Sequence, residues 1–318
     1  MISDLFSFKR LACCLAFALA GIHPAASQEA SVFVPQFMPG KVYTYRSETD
    51  VTMEVPTPDG GKTQRRVTMG HEARLATAAR AAGPGALIDA STQRLQFKVS
   101  SGEREMAYDS ADEKTKGSAF GQHFEGARQR TVTLEVDDSP KIVKSEEKGG
   151  GGPATPMPGM PQFGPDELKQ LVSGLLQGFP PDAVKPGSEW TQKGKRSLGQ
   201  FGEMDFEITY RYKGDETIDG ADCAVIEFSG DMKGDVSVSG AQPGSAGGKL
   251  GFEGQGLEGR LVFDKVRRAV RESRQTVNLT IDAPGPDPAA GGKINRPMRQ
   301  QVTVIQLITV KLLSLQDS

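Results

Sequence analysis

Met204 to Lys213 reads MDFEITYRYK, and its alternation decides the fold class. Met204, Phe206, Ile208, Tyr210 and Tyr212 fall on one face of an extended chain. Asp205, Glu207, Thr209, Arg211 and Lys213 fall on the other, as in a strand with one dry and one wet side. The same period recurs at Val132, Leu134 and Val136, at Leu261 and Phe263, and at Val277, Leu279 and Ile281. At the C-terminus Val302, Val304, Ile308, Val310 and Leu312 share a face interrupted only by Gln306. Long alternating strands predict a mainly β protein, its antiparallel sheet wet on one face and dry on the other.

One segment has the helical period. Leu168, Leu171, Val172, Leu175, Leu176 and Phe179 make a single apolar stripe. Pro165 suits a first turn, Asp166 and Glu167 oppose the positive helix end, and Gly178 with Pro180-Pro181 stops it. A helix over 164–179 is therefore expected, with Leu171 and Leu175 buried against the sheet. Its polar face has only Lys169 as a cation, which weakens a membrane-surface reading. The architecture expected is a curled sheet or half-barrel packed on this one amphipathic helix.

Gly149 to Phe163 (GGGGPATPMPGMPQF) reads as a linker. It divides the chain into 28–148 and 164–318, two related halves expected to share one sheet. Both open on Pro-Gly and an aromatic residue (Pro39, Gly40, Tyr43; Pro186, Gly187, Trp190). Both close on a strand, an aspartate turn and a return strand, LEVDDSPKIVKS from Leu134 and LVFDKVRRAVRES from Leu261. A duplication needs about twenty extra residues in the first half. Ser239 to Gly248 and Ala283 to Gly292 read as mobile Gly/Pro/Ala-rich loops.

Residues 1–27 have the layout of a secretory signal peptide: Lys9 and Arg10, an apolar core from Leu11 to Ala20, then Ala25-Ala26-Ser27 before Gln28. That core is too short to span a membrane, and no later apolar run is long enough. Cys13 and Cys14 lie inside it, which argues against a lipoprotein signal. The expected compartment is periplasmic or extracellular, and the processed chain keeps Cys223 alone, read as a packed strand residue. Removing 27 of the 318 residues leaves 291, with 36 basic and 39 acidic side chains. A net charge of −3 is too weak for a nucleic-acid binder.

No chemistry announces itself. His71 lies in an expected strand, Val67 to Thr77, beside Glu72 on the opposite face, as a solvated or core residue does; His123 has no ligand spacing around it. GSAFG (Gly117 to Gly121) is out of register for a nucleophile elbow, and Ser145 to Lys148 spells S-x-x-K at the edge of the linker. Gly254, Gly256 and Gly259 match G-x-G-x-x-G, but the following RLVFD continues as a strand, so a glycine-rich turn is expected. Met157 and Met160 are two thioethers without a third ligand for copper(I). Arg267, Arg268, Arg271 and Arg274 point to both faces of a strand and make no single patch. No catalytic, cofactor or metal residue is expected, and the chain is read as non-enzymatic.

MAYDSAD (Met106 to Asp112), PGSEW (Pro186 to Trp190) and GRLVFD (Gly259 to Asp264) resemble an uncharacterised family of exported bacterial β-rich proteins. That resemblance implies shape and compartment. In architecture alone the chain is similar to periplasmic lipoprotein carriers, which hold acyl chains on a concave face. The primary expectation is an envelope protein acting through an unknown protein partner; the alternative is a carrier for an apolar or lipid-like ligand on the concave face. In the carrier the helix is a lid or plug.

Overall fold

The computed structural model describes residues 30–56, 61–81, 83–102, 104–117, 119–149, 164–197, 203–238, 248–285 and 298–318. The expected signal peptide and the linker from residue 150, with Met157 and Met160, lie outside these residues.

Six strands lie before the linker: β1 (Lys41–Pro56), β2 (Lys62–Ala79), β3 (Ala86–Ser101), β4 (Arg104–Asp109), β5 (Thr131–Val136) and β6 (Ile142–Lys148). Six follow it: β7 (Glu189–Ser197), β8 (Glu203–Ile218), β9 (Ala221–Val238), β10 (Gly248–Asp264), β11 (Ala269–Gly285) and β12 (Met298–Asp317). All twelve join one antiparallel sheet in the order β6-β5-β3-β2-β1-β12-β11-β10-β9-β8-β7, with β4 on β3. The sheet is not closed into a barrel, and the fold class expected from the alternation is the one observed.

Each half is a meander, and the two repeat a plan. Gly40 and Gly187 both take positive φ, 76° and 89°, where glycine has no Cβ to clash. Their N–H groups donate to Thr77 on β2 and Tyr212 on β8, the second strand of each half. Asp137 and Asp264 each cap a hairpin turn with Oδ1, accepting from Ser139 and Lys141, and from Val266 and Arg267. The first half also carries β4, α1 (Glu113–Lys116) and α2 (Ala119–Arg128) between β3 and β5. The second half ends on β12, which pairs with β1 along nearly its whole length and joins the halves.

Side chains from both sides of the sheet meet in one core. Leu134 on β5 and Tyr210 on β8 belong to the same buried cluster. They are eight strand intervals apart, about 38 Å in a flat sheet at ~4.8 Å each. Yet the 12-residue helix Pro165–Leu176 packs on β5 and β6 while Phe179, three residues beyond it, meets Gln192 on β7, so the sheet curls around the helix. α3 (Pro165–Leu176) fills the curl, packing on β3, β5 and β6. Leu168 and Val172 are fully buried, with Leu175 and Leu176 nearly so, whereas Leu171 is only partly buried. The stripe is wide, and Leu171 sits on its shoulder. The helix is a core element of the fold. Phe33 of the N-terminal segment packs edge-on against Tyr212 and Phe263, and Phe179 against Phe263 at 5.0 Å.

Several local expectations need correction. Gly254, Gly256 and Gly259 lie inside β10, where the register slips between Gly254 and Leu257 and Gly256 has φ 90°. They form a bulge in a strand, since a glycine accepts the bulged conformation cheaply. Gly248 begins β10 and Ala283 to Gly285 end β11, so parts of both expected loops are strand. α1 and α2 were not expected. α1 is four residues with none buried, and α2 (AFGQHFEGAR) carries two glycines and no helical stripe. They cover a second cluster, Leu95, Phe97, Tyr108 and Phe124, on the same face of β2 and β3.

Candidate functional site

Strand register places three consecutive cross-strand rows on the inner face beyond α3. The first runs Trp190, Tyr210, Phe228, Gly259, Gln275, Ile308 and Thr49. The second runs Gln192, Ile208, Gly230, Leu257, Val277, Gln306 and Val51. In the third, Phe206, Met232, Leu279, Val304 and Met53 alternate with Gly194 and Gly254. None of these positions on β7 to β12 and β1 carries a charge. The intervening residues of the same strands, on the outer face, include Lys193, Glu207, Asp231, Glu258 and Asp50. Six strand intervals at ~4.8 Å make this apolar surface about 29 Å wide.

The strands are much longer than the helix. β12 has 20 residues and α3 has 12, about 66 Å of strand against about 18 Å of helix. Met232, Leu257, Val277 and Val304 are buried, and Phe206, Ile208 and Leu279 are partly exposed. Aromatic rings step over glycines. A Cβ on Gly259 would lie 2.3 Å from Phe228 Cζ, and one on Gly194 would lie 3.0 Å from Phe206 Cζ. Trp190 stacks on Tyr210 with centroids 5.7 Å apart and planes 10° apart. Just past α3, a Cβ on Gly178 would lie 2.8 Å from Tyr210 Cε1, and Gln192 Nε2 donates to the Phe179 carbonyl at 3.1 Å.

His71 also faces inward, between the two buried clusters, with Nε2 2.9 Å from Thr92 Oγ1. Burial lowers its pKa to about 4, so at neutral pH it is an uncharged core residue. Glu167, in the first turn of α3, moves the other way. Burial pushes its carboxyl up to about 7 against hydrogen bonds from its own N–H and that of Gly164, with Asp166 adding repulsion.

The outer face holds a separate groove of about 540 Å³. It crosses β12, β1, β2, β3 and β4, from Leu307 and Thr309 over Gly70 to Asp109, Asp112 and Thr115. Its polar groups satisfy one another. Arg46 donates to Glu48, Glu72 and Gln96, Gln96 donates to Asp109, and Arg94 binds Asp109 through two nitrogens. The Arg94 guanidinium holds the Asp109 carboxyl well below the usual carboxylate range. Nearby, Ile305 and Leu307 are each 46% exposed.

The remaining residues singled out from the sequence are dispersed. Cys223 is fully buried in β9. Arg267 pairs with Asp264, Arg271 with Asp219 and Arg274 with Glu272, while Arg268 donates to the Val34 carbonyl. Ser145 to Lys148 lie in β6, and His123 in α2. Among the described residues no group of three or more His, Cys, Asp or Glu side chains is placed to hold a metal ion. No described helix is long and apolar enough to cross a membrane. Sequence reasoning missed the inner surface because it rests on pairing between strands distant in the chain. Its only local signal was the alternation itself.

No protein-family model matches this chain, and no curated protein matches it. Among solved structures it is similar to lipovitellin, described for its lipid–protein interactions, at 9% identity and a TM-score of 0.48. That match covers 89% of this chain and 26% of the other, so the chain spans about a quarter of that protein. It is also similar to an outer membrane channel from Pseudomonas putida F1, at 9% identity and a TM-score of 0.16, covering 87% of this chain and 97% of the other. At scores this low the two likenesses carry no weight for this chain's ligand, partner or location. What fold and site define together is a mainly β protein whose curled antiparallel sheet carries three uncharged cross-strand rows on the inner face of β7 to β12 and β1.

Proposed function

We propose that this protein is an exported, non-enzymatic binding protein that holds an elongated apolar ligand along the inner face of β7 to β12. The observation that carries this reading is the run of three uncharged rows across seven strands beyond α3. Phe206, Ile208 and Leu279 keep apolar area in contact with solvent on these rows, and covering it with a ligand of acyl-chain dimensions removes that area from water at about 25 cal/mol per Å². α3 and the Phe33 segment act as the fixed plug at one end of the trough.

Protein purified from its own envelope should carry lipid, visible by native mass spectrometry. It should also bind a fluorescent fatty acid saturably at micromolar levels. Ile208→Asp places a carboxylate in the middle row at a partly exposed position, so it should abolish binding with little loss of fold. A parent protein that binds no lipid in either assay would refute the reading.

The primary expectation from sequence, action through a protein partner, has one observation of its own. Ile305 and Leu307 stand together, each partly exposed, on the outer face beside the groove. A double Ile305→Ser, Leu307→Ser variant that loses a cross-linked envelope partner while keeping lipid uptake would favour that reading.

A further inference from the structure

The three rows are uncharged, yet among the described residues they hold a buried donor that the fold leaves unanswered. Among the described residues Trp190 Nε1 is shut off from solvent and meets no hydrogen-bond acceptor. Its ring is fixed by stacking on Tyr210, so the N–H cannot simply turn away. Tryptophan is used at binding surfaces where its ring packs and its N–H finds a partner, and a buried donor without one is costly. Gln192, the next residue on the same face, spends one amide hydrogen on the Phe179 carbonyl and has a second to give. Both donors lie on β7, an edge strand that pairs only with β8 among the described residues.

Resting on the inner-face reading above, we infer that the ligand brings an uncharged oxygen acceptor, an ester, amide or protonated carboxyl carbonyl, to Trp190 Nε1. Its hydrocarbon chain lies along Ile208 and Phe206. An ionised head is excluded from this position by the absence of any charge on the three rows. A carboxylate there would be desolvated with no cation to compensate it.

Trp190 is the only tryptophan in the chain, so its indole N–H gives one resolved signal in a ¹H–¹⁵N spectrum. The test compares methyl oleate, oleate at pH 8 and 1-octadecene on the processed full chain, by displacement of an environment-sensitive dye and by that signal. The parent should bind methyl oleate about tenfold more tightly than octadecene, a difference of about 1.4 kcal/mol, and more tightly than oleate. The indole proton should move downfield with the ester and not with the hydrocarbon. Trp190→Phe keeps an aromatic ring on Tyr210, and the ratio of ester to octadecene affinity should fall from about tenfold to about one. An unchanged ester preference in Trp190→Phe overturns the role of Trp190 and leaves the apolar trough standing. If that variant does not fold, the parent spectrum decides alone, and an indole signal unmoved by methyl oleate overturns the inference. Binding of none of the three probes overturns the trough as well.

Discussion

His71 and Glu167 should cancel each other's effect on stability across one pH window, and removing either should expose the other. The folded imidazole has its pKa at about 4, against an ordinary 6.5. Between those values the unfolded chain binds a proton that the folded chain refuses, so stability rises with pH. The folded Glu167 carboxyl has its pKa at about 7, against an ordinary 4.5. Between those values the folded chain holds the extra proton, so stability falls as pH rises. Each gap is about 2.5 pH units, or about 3 kcal/mol at ~1.4 kcal/mol per unit. Burial holds Glu167 high, while arginine partners hold Asp109, Glu135 and Asp219 low, so those three act below the window. The assay is urea unfolding at intervals from pH 4.5 to 7, read by Trp190 fluorescence. The parent should be nearly flat. His71→Gln, whose amide can still meet Thr92, should lose about 3 kcal/mol from pH 4.5 to 7, and Glu167→Gln should gain about as much. The slopes decide the matter, whatever each substitution costs outright. Variants that keep the parent's flat profile would show that neither group is buried as described.

Other outcomes follow from packing. Leu168→Ala should cost about 2–5 kcal/mol in denaturant unfolding, while Leu171→Ala, on the partly exposed shoulder of α3, should cost about 2 or less. Equal small costs would mean that α3 does not plug the core. Gly259→Ala should destabilise by about 1–3 kcal/mol, because its Cβ meets the backbone oxygen of Arg274, which cannot swing aside, as well as the Phe228 ring. N-terminal sequencing of exported material should begin within a few residues of Gln28, and an intact Met1 would refute export by this signal.

The sequence by itself determined which face of each strand is dry, because side chains alternate whatever a strand pairs with. Tyr210 and Tyr212 on β8 are buried as MDFEITYRYK requires, and Arg211 between them is exposed. It also determined the apolar stripe of α3 and the glycines at Gly40 and Gly187, since helical period and positive φ are local properties. Only the tertiary structure decided that β1 meets β12, because any strand offers the same backbone donors and acceptors to any other. From that pairing come the order of the sheet, the curl that joins Leu134 to Tyr210 and the uncharged rows from Trp190 to Thr49. The depth of Leu168 against Leu171, the burial of His71 between two clusters and the groove over Gly70 were equally out of reach. Each is set by what packs against a residue from far along the chain, and periodicity reports only on near neighbours.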